Sequence, residues 1–282
     1  MTSRTFSLGG DLTLNRLGFG AMRLAMSTFT GPARAPESGI AVLRRAVELG
    51  VNHIDTAGFY GRGTVWANEL IRTALTPYRD DLVIATKVGP LLGPDGVPSG
   101  QATPDQLRGL VEADLRALGL DRLDLVYLRV GGVTGPDGES IADRFAVLAE
   151  LRVEGLIRHL GVSNVDAAQF AEARAIAPVT AVQNQYTDAM ELLAECEDAG
   201  IAYVPYFPLG GGDDRDSLDA EQLGEVAARL GATAAQARIA SLLARSPSVL
   251  AIPGTGSLDH LEENLAAIDL TLGDEDLSDL RG

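Results

Sequence analysis

The chain has 282 residues, of which 46% are hydrophobic and 22% charged, which is enough for one substantial core and is not the composition of a disordered chain. Its 39 acidic against 23 basic residues give a formal net charge of −16, a surface that repels nucleic-acid backbones and anionic membranes. No stretch approaches the ~18 apolar residues of a membrane span, the start "MTSRTFSLGGDLTLNRLG" has no apolar leader core, and the lone cysteine, Cys196, cannot build a disulfide framework, so a cytoplasmic protein is expected.

In chain order, "TFSLGGDLTL" alternates around Gly9 and Gly10 like a β-hairpin. Eight short apolar runs follow: Leu17 to Phe19, Val51 to Ile54, Leu82 to Thr86, Leu123 to Leu128, Ile157 to Val162, Val179 to Gln183, Ala202 to Tyr206 and Val249 to Ile252. Each is nearly continuous in apolar residues, as parallel strands covered on both faces should be. Helical patterns separate them. In "TPDQLRGLVEADLRAL", Thr103 and Gln106 have capping-box spacing, Pro104 occupies the first helical position, and Leu107, Leu110, Val111, Leu115 and Leu118 share a side. The segment from Ser257 repeats the pattern with Leu258, Leu261, Leu265 and Ile268.

Eight strand–helix units predict an α/β chain folded as a (β/α)8 TIM barrel, a single domain over residues 1–282, with the N-terminal hairpin plugging the bottom. An open doubly wound sheet is disfavoured because no G-x-G-x-x-G turn follows the first strand. The Gly- and Pro-rich loops "GPLLGPDGVPSGQA" and "RVGGVTGPDGES", after strands three and four, are expected on the active face.

In such a barrel the strand ends carry the chemistry. Asp55 closes strand two, Lys87 strand three and Arg129 strand four, followed by Ser163 and Asn164, then Gln183, Tyr206 and the turn "PGTG" from Pro253. Lys87 is the only lysine, every other basic residue being arginine, which points to a role for a compact, tunable ammonium. An Asp55–Lys87 ion pair would keep that ammonium charged, and the charge would favour the phenolate of Tyr60 in "IDTAGFYG". The three residues together make a phenol able to protonate a carbonyl oxygen during hydride reduction. Arg129, which cannot relay a proton, is read as a fixed charge facing the substrate, against the alternative of a pair with Asp137 or Glu139. "PGTG" leads into the helix from Ser257, whose free N–H groups suit phosphate. His53 and His159 read as structural histidines, Trp66 as either a pocket wall or helix packing, and no Cys/His cluster has metal-ligand spacing.

The stretches "GFGAMRL", "IDTAGFYG", "NELIRTAL", "VIATKVG", "LDLVYLR", "IRHLGVSN", "VQNQY", "YVPYFPLGGG" and "IPGTGSLDHLEEN", in this order, resemble the aldo-keto reductase family over almost the whole chain, and most of all its pyridoxal reductase branch. The resemblance implies NADPH as cofactor, with NADH the alternative, lying across the barrel top and lined at its start by Gly20, Ala21 and Met22. It implies that Ser163, Asn164 and Gln183 hold the carboxamide, that Tyr206 stacks on the nicotinamide, and that Phe207, Leu209 and Gly210 line the pyrophosphate. Gly254, Thr255, Gly256, Ser257 and His260 would meet the 2′-phosphate, and Glu263 and Asn264 the adenine. Two positions depart from many members: Arg129 stands where they carry histidine, and Gly254 and His260 where they carry a lysine and an arginine. The implied activity is reduction of a small carbonyl substrate by a monomer. A cofactor-holding accessory protein on the same barrel and a Schiff-base aldolase using Lys87 are the alternatives.

Overall fold

A computed structural model describes residues 3–27, 31–132, 135–187, 189–207 and 220–280. Its central feature is one parallel sheet whose strands follow chain order around a ring: β1 (Phe19–Gly20), β2 (His53–Asp55), β3 (Val83–Val88), β4 (Leu123–Arg129), β5 (Ile157–Ser163), β6 (Val179–Gln183) and β7 (Ala202–Tyr203). The expected eighth strand is reduced to bridges, Tyr203 to Val249 and Leu17 to Ala251. These still close the ring. Leu250 N–H donates to Tyr203 O at 2.9 Å and Gly18 N–H donates to Ala251 O at 2.8 Å, so neither sheet edge is left open. Arg16, 2% exposed, seals the same seam with Nε on Val249 O at 3.0 Å and Nη2 on Leu243 O at 2.6 Å.

Side chains in these strands alternate between two apolar environments. Val83, Ala85, Leu125, Tyr127, Ala181, Val204, Leu250 and Ile252 fill the barrel interior. Ile54, Ile84, Val126, Leu128, Leu160, Val162 and Val182 face outward into the helix layer. The hairpin Thr5–Leu8 with Leu12–Asn15 sends Leu8 and Leu14 into the interior cluster, and Gly9 and Gly10 take φ of 60° and 83° in its turn. It therefore plugs the barrel as expected. Full burial of each such leucine or valine contributes about 1.5–3 kcal/mol relative to exposure.

The helices Pro36–Glu48, Ala67–Leu75, Pro104–Leu118, Ala142–Val153, Ala167–Ile176, Ala234–Ala244 and Leu258–Ala266 wrap this ring. In Pro104–Leu118, Leu107, Val111, Leu115 and Leu118 are buried as the periodicity required, and Gln106 Oε1 accepts from the Thr103 N–H at 3.0 Å. In Leu258–Ala266 the apolar face is narrower than expected: Leu261 is buried while Leu258 is 44% exposed. The loop after β3 folds into its own hairpin, Pro90–Leu92 with Pro98–Gln101, whereas the sequence read as irregular there. Strands β2 to β5 extend beyond their apolar runs through Asp55, Lys87, Arg129 and Ser163, the residues expected at their ends. The top of the barrel interior is a polar cleft, and these residues occupy its inward positions.

Gly161 shows how tightly the interior is filled. A Cβ there would lie 2.5 Å from the Tyr127 ring and 2.9 Å from Ala181 O, whereas a Cβ on Gly109, in the exposed middle of Pro104–Leu118, meets nothing within 4 Å. The two changes should act with opposite sign in urea unfolding: Gly161→Ala loses about 1–3 kcal/mol by overpacking, and Gly109→Ala gains up to about 1 kcal/mol from helix propensity.

Candidate active site

The register of the sheet sets the site. Gly20 lies opposite Asp55, Asp55 opposite Ala85, Lys87 opposite Tyr127, Arg129 opposite Ser163 and Ser163 opposite Gln183. With every second residue pointing inward, Asp55, Lys87, Arg129, Ser163 and Gln183 all reach the mouth of the barrel just above its apolar filling.

Lys87, 2% exposed, donates from Nζ to Asp55 Oδ1 at 2.5 Å and to Thr56 O at 3.0 Å. Its Nζ also lies 5.0 Å from the centre of the Tyr60 ring. Burial works against the ammonium, but the charge of Asp55, then Tyr60, outweighs it and holds Lys87 above the usual lysine range. Asp55 Oδ2 accepts from Gln183 Nε2 at 2.7 Å. Asp55, Tyr60 and Lys87 thus meet as the sequence predicted, with Gln183 as a fourth member. Gln183 Oε1 is buried and has no hydrogen-bond partner among the described residues, an acceptor left for a ligand.

A cavity of about 410 Å³ opens beside this group, lined by Met22, Phe59, Tyr60, Lys87, Arg129, Gln183, Tyr206 and Phe207, with Pro98 to Gln101 and Gly131 as its outer wall. Arg129 faces it. Its Nη1 donates to Ser163 Oγ and its Nη2 to Gly132 O, both at 3.4 Å, and its guanidinium carbon lies 4.9 Å from the centre of the Tyr206 ring. Asp137 instead accepts from Gln169 Nε2 at 2.9 Å, so the pair with Asp137 or Glu139 is not formed. Trp66 lines an adjoining cavity with Phe59, Tyr60, Leu91 and Asp114, and its ring leaves no room for a Cβ on Gly61.

A narrower groove connects the catalytic group to the seam between first and eighth strands, lined by Gly20, Met22, Arg23, Asp55, Tyr60, Tyr206, Phe207 and Gly254. Two glycines make its floor: a Cβ on Gly20 would lie 2.7 Å from Ile252 O and one on Gly254 2.4 Å from Gly20 O. Beyond it, Thr255 Oγ1 accepts from Ser257 N–H at 3.1 Å, and Ser257 caps the helix by accepting from His260 N–H at 3.4 Å.

Not every expected residue is free to take the role implied for it. Asn164, at φ 62°, spends Nδ2 on the carbonyls of Val130, Gly132 and Gly135 and Oδ1 on the Tyr206 hydroxyl, fastening the loop after β4. Ala21 is fully buried and its N–H donates to Asp55 O at 2.8 Å. Glu263 Oε1 accepts from Thr233 Oγ1 at 2.6 Å, Asn264 is 5% exposed, and the His260 side chain is exposed. Leu209 and Gly210 lie outside the described residues. His53 Nδ1 contacts Asn15 O at 3.2 Å and His159 Nε2 contacts Asp11 at 2.6 Å, so both are structural as read.

One polar cluster behind the site escaped the sequence reading. Asp114 accepts from Thr86 Oγ1 at 2.6 Å and from Asn68 Nδ2 at 3.0 Å, and Thr56 Oγ1 donates to Asn68 Oδ1 at 2.7 Å. The cluster braces Thr56 and Thr86, neighbours of Asp55 and Lys87. Its signal was available: Asp114 falls on the apolar face of its helix, between Val111 and Leu118.

The sequence pattern of the Aldo/keto reductase family matches residues 16–282. Pyridoxine 4-dehydrogenase of Escherichia coli is 49% identical over 288 aligned positions, covering 100% of this chain and 99% of that protein. An uncharacterized oxidoreductase of Schizosaccharomyces pombe is 38% identical over 94% of this chain and 85% of its own length. Among solved structures, a thermostable aldo-keto reductase with the inhibitor epalrestat aligns at TM-score 0.79 and 31% identity over 99% of both chains. An aldo-keto reductase from Klebsiella pneumoniae in complex with NADPH aligns at TM-score 0.78 and 28% identity, over 99% of this chain and 94% of that one.

Burial raises the Asp114 carboxyl to about 7, against the opposing hydrogen bonds of Thr86 and Asn68 and the charge of Lys87. The folded state therefore keeps a proton that the unfolded chain releases near 4, and stability falls as pH rises from about 4 to about 7, by up to about 1.4 kcal/mol per unit. Asp114→Asn keeps both hydrogen bonds and should remove this contribution. In denaturant titrations across pH 4–8, the variant should gain on the native protein as pH rises; parallel curves would show that Asp114 is not protonated in the fold.

Proposed function

The chain belongs to the aldo-keto reductase family, and on that premise we propose that it is an NADPH-dependent carbonyl reductase acting on small aldehydes, with pyridoxal as its candidate substrate. The observation that carries this reading is the buried Asp55–Lys87 pair beside Tyr60, with the unpartnered Gln183 Oε1 facing the same cleft. The residues fit a nicotinamide cofactor. Gln183 Oε1 offers an acceptor for a carboxamide N–H, the Tyr206 ring a surface for stacking, and the Gly20–Gly254 seam a floor on which only glycine leaves space. When bound, the cofactor supplies the hydride that reduces the carbonyl carbon.

The chain supplies the rest. Tyr60 gives its phenolic proton to the carbonyl oxygen, and the Lys87 ammonium, fixed by Asp55 and Thr56 O, steadies the negative charge left on the phenol oxygen. Arg129 presents a permanent charge to the same cavity, favouring the oxyanion that develops and a substrate with negative charge beside its aldehyde. The loop wall of Pro98 to Gln101, tied to the β4 loop by Gln101 Nε2 on Gly131 O at 3.0 Å, limits water in the cavity. The Schiff-base alternative needs a neutral amine, and Lys87 is held charged by two acceptors. We further place the protein in the cytoplasm. No described helix is long and apolar enough to cross a membrane, and burial pushes the Cys196 thiol up to about 12, so it is inert.

The test is oxidation of NADPH against a panel of carbonyl compounds that includes pyridoxal. Tyr60→Phe and Lys87→Arg should each abolish turnover while NADPH still binds, because a planar guanidinium cannot replace the ammonium in this socket. Arg129→Met should lower kcat/KM by about 10²-fold for pyridoxal and less for a neutral aromatic aldehyde. Near-normal turnover by Lys87→Arg would overturn the proton-transfer assignment.

A further inference from the structure

Most of the described arginines pair with carboxylates or seal carbonyls, but the two beside the seam, Arg23 and Arg34, have no carboxylate partner among the described residues. Arg34 makes no side-chain hydrogen bond or ion pair with any described residue, and its Nε is buried without an acceptor. Its guanidinium lies flat against Gly256: a Cβ there would be 2.9 Å from Arg34 Cζ, 2.9 Å from Nη1 and 3.0 Å from Nε. The Arg34 backbone is tied to the residues that follow β1, because its N–H donates to Ala25 O at 3.1 Å and its neighbour Ala33 bridges Met26. Arg23, from the same segment, lines the groove that links Tyr60 to Gly254. Its Nη1 donates to Ser27 O, and burial together with the charge of Arg34 lowers its pKa from the usual value.

Neither guanidinium has a carboxylate partner among the described residues, so each leaves positive charge along the groove for an anion that the chain does not supply, Arg23 in the groove itself and Arg34 at its Gly256 end. The helix end at Ser257 does not suffice for that anion, since Asp259 brings a negative charge into its first turn. We propose that Arg34 binds the 2′-phosphate of NADPH and selects it over NADH, supplying from the β1 segment the cation that Gly254 and His260 do not. Arg23, nearer the catalytic group, contacts the pyrophosphate shared by both cofactors.

The inference rests on the reductase reading and has its own readout, binding to the intact protein by calorimetry. The probes are NADPH, NADH, 2′,5′-ADP, and 5′-AMP, which lacks the 2′-phosphate. Arg34→Met should weaken NADPH and 2′,5′-ADP by about tenfold or more and leave NADH and 5′-AMP within about twofold. Arg34→Lys should recover part of the loss. Gly256→Ala, which keeps every charge but displaces the guanidinium, should reproduce the same selective loss, and Arg23→Met should weaken NADPH and NADH alike. Equal losses for NADPH and NADH in Arg34→Met, or none in either, would overturn the assignment while leaving the reductase reading intact. A native protein that binds neither dinucleotide would overturn both.

Discussion

The site depends on one costly arrangement, a lysine and an aspartate buried together where β2 and β3 end. Moving two charges out of water costs several kcal/mol per ion even after relaxation, and the attraction between them repays this only when their remaining hydrogen-bonding capacity is met. Here it is met by three residues. Thr56 O takes a second Lys87 hydrogen, Tyr60 stands beside the ammonium, and Gln183 from β6 holds the far oxygen of Asp55. The pair is a poor source of stability compared with packed leucines, and its value lies in fixing a positive charge beside a phenol without a guanidinium's bulk. The bracing of Thr56 and Thr86 by Asn68 and Asp114 belongs to the same arrangement, since it sets the backbone on which both charged residues stand.

The barrel was legible because parallel strands covered on both faces leave continuous apolar runs, and the runs from Leu82, Leu123, Ile157 and Val179 needed little more than counting. The catalytic group was legible because it sits where those runs stop. What the sequence hid were features set by approach in three dimensions. The eighth strand is two bridges instead of a ladder, since backbone contacts at Leu17, Tyr203, Val249 and Ala251 suffice to close a ring already held by seven strands. Asn164 looked available for a ligand until its loop carbonyls were placed around it, and nothing in the sequence around Arg34 marks it, because its neighbour, Gly256, is more than two hundred residues away in the chain.

The distribution of charge gives the last step. A net charge of −16 opposes the approach of a phosphorylated cofactor, yet at physiological ionic strength such interactions are largely screened beyond about 8 Å. What a bound anion feels is therefore the local set, and along this cleft that set is basic: Arg129 on the substrate side, Lys87 at the centre, Arg23 in the groove and Arg34 against the closing turn. Lys87 alone has a carboxylate partner, and it alone must stay fixed through a proton transfer. None of the three arginines pairs with a carboxylate among the described residues: Arg129 holds its oxygen partners at 3.4 Å, Arg23 donates to a carbonyl, Ser27 O, and Arg34 Nε has no acceptor, which leaves their charge available to a ligand. Grouped along one cleft, these charges concentrate anion recognition where the chemistry is.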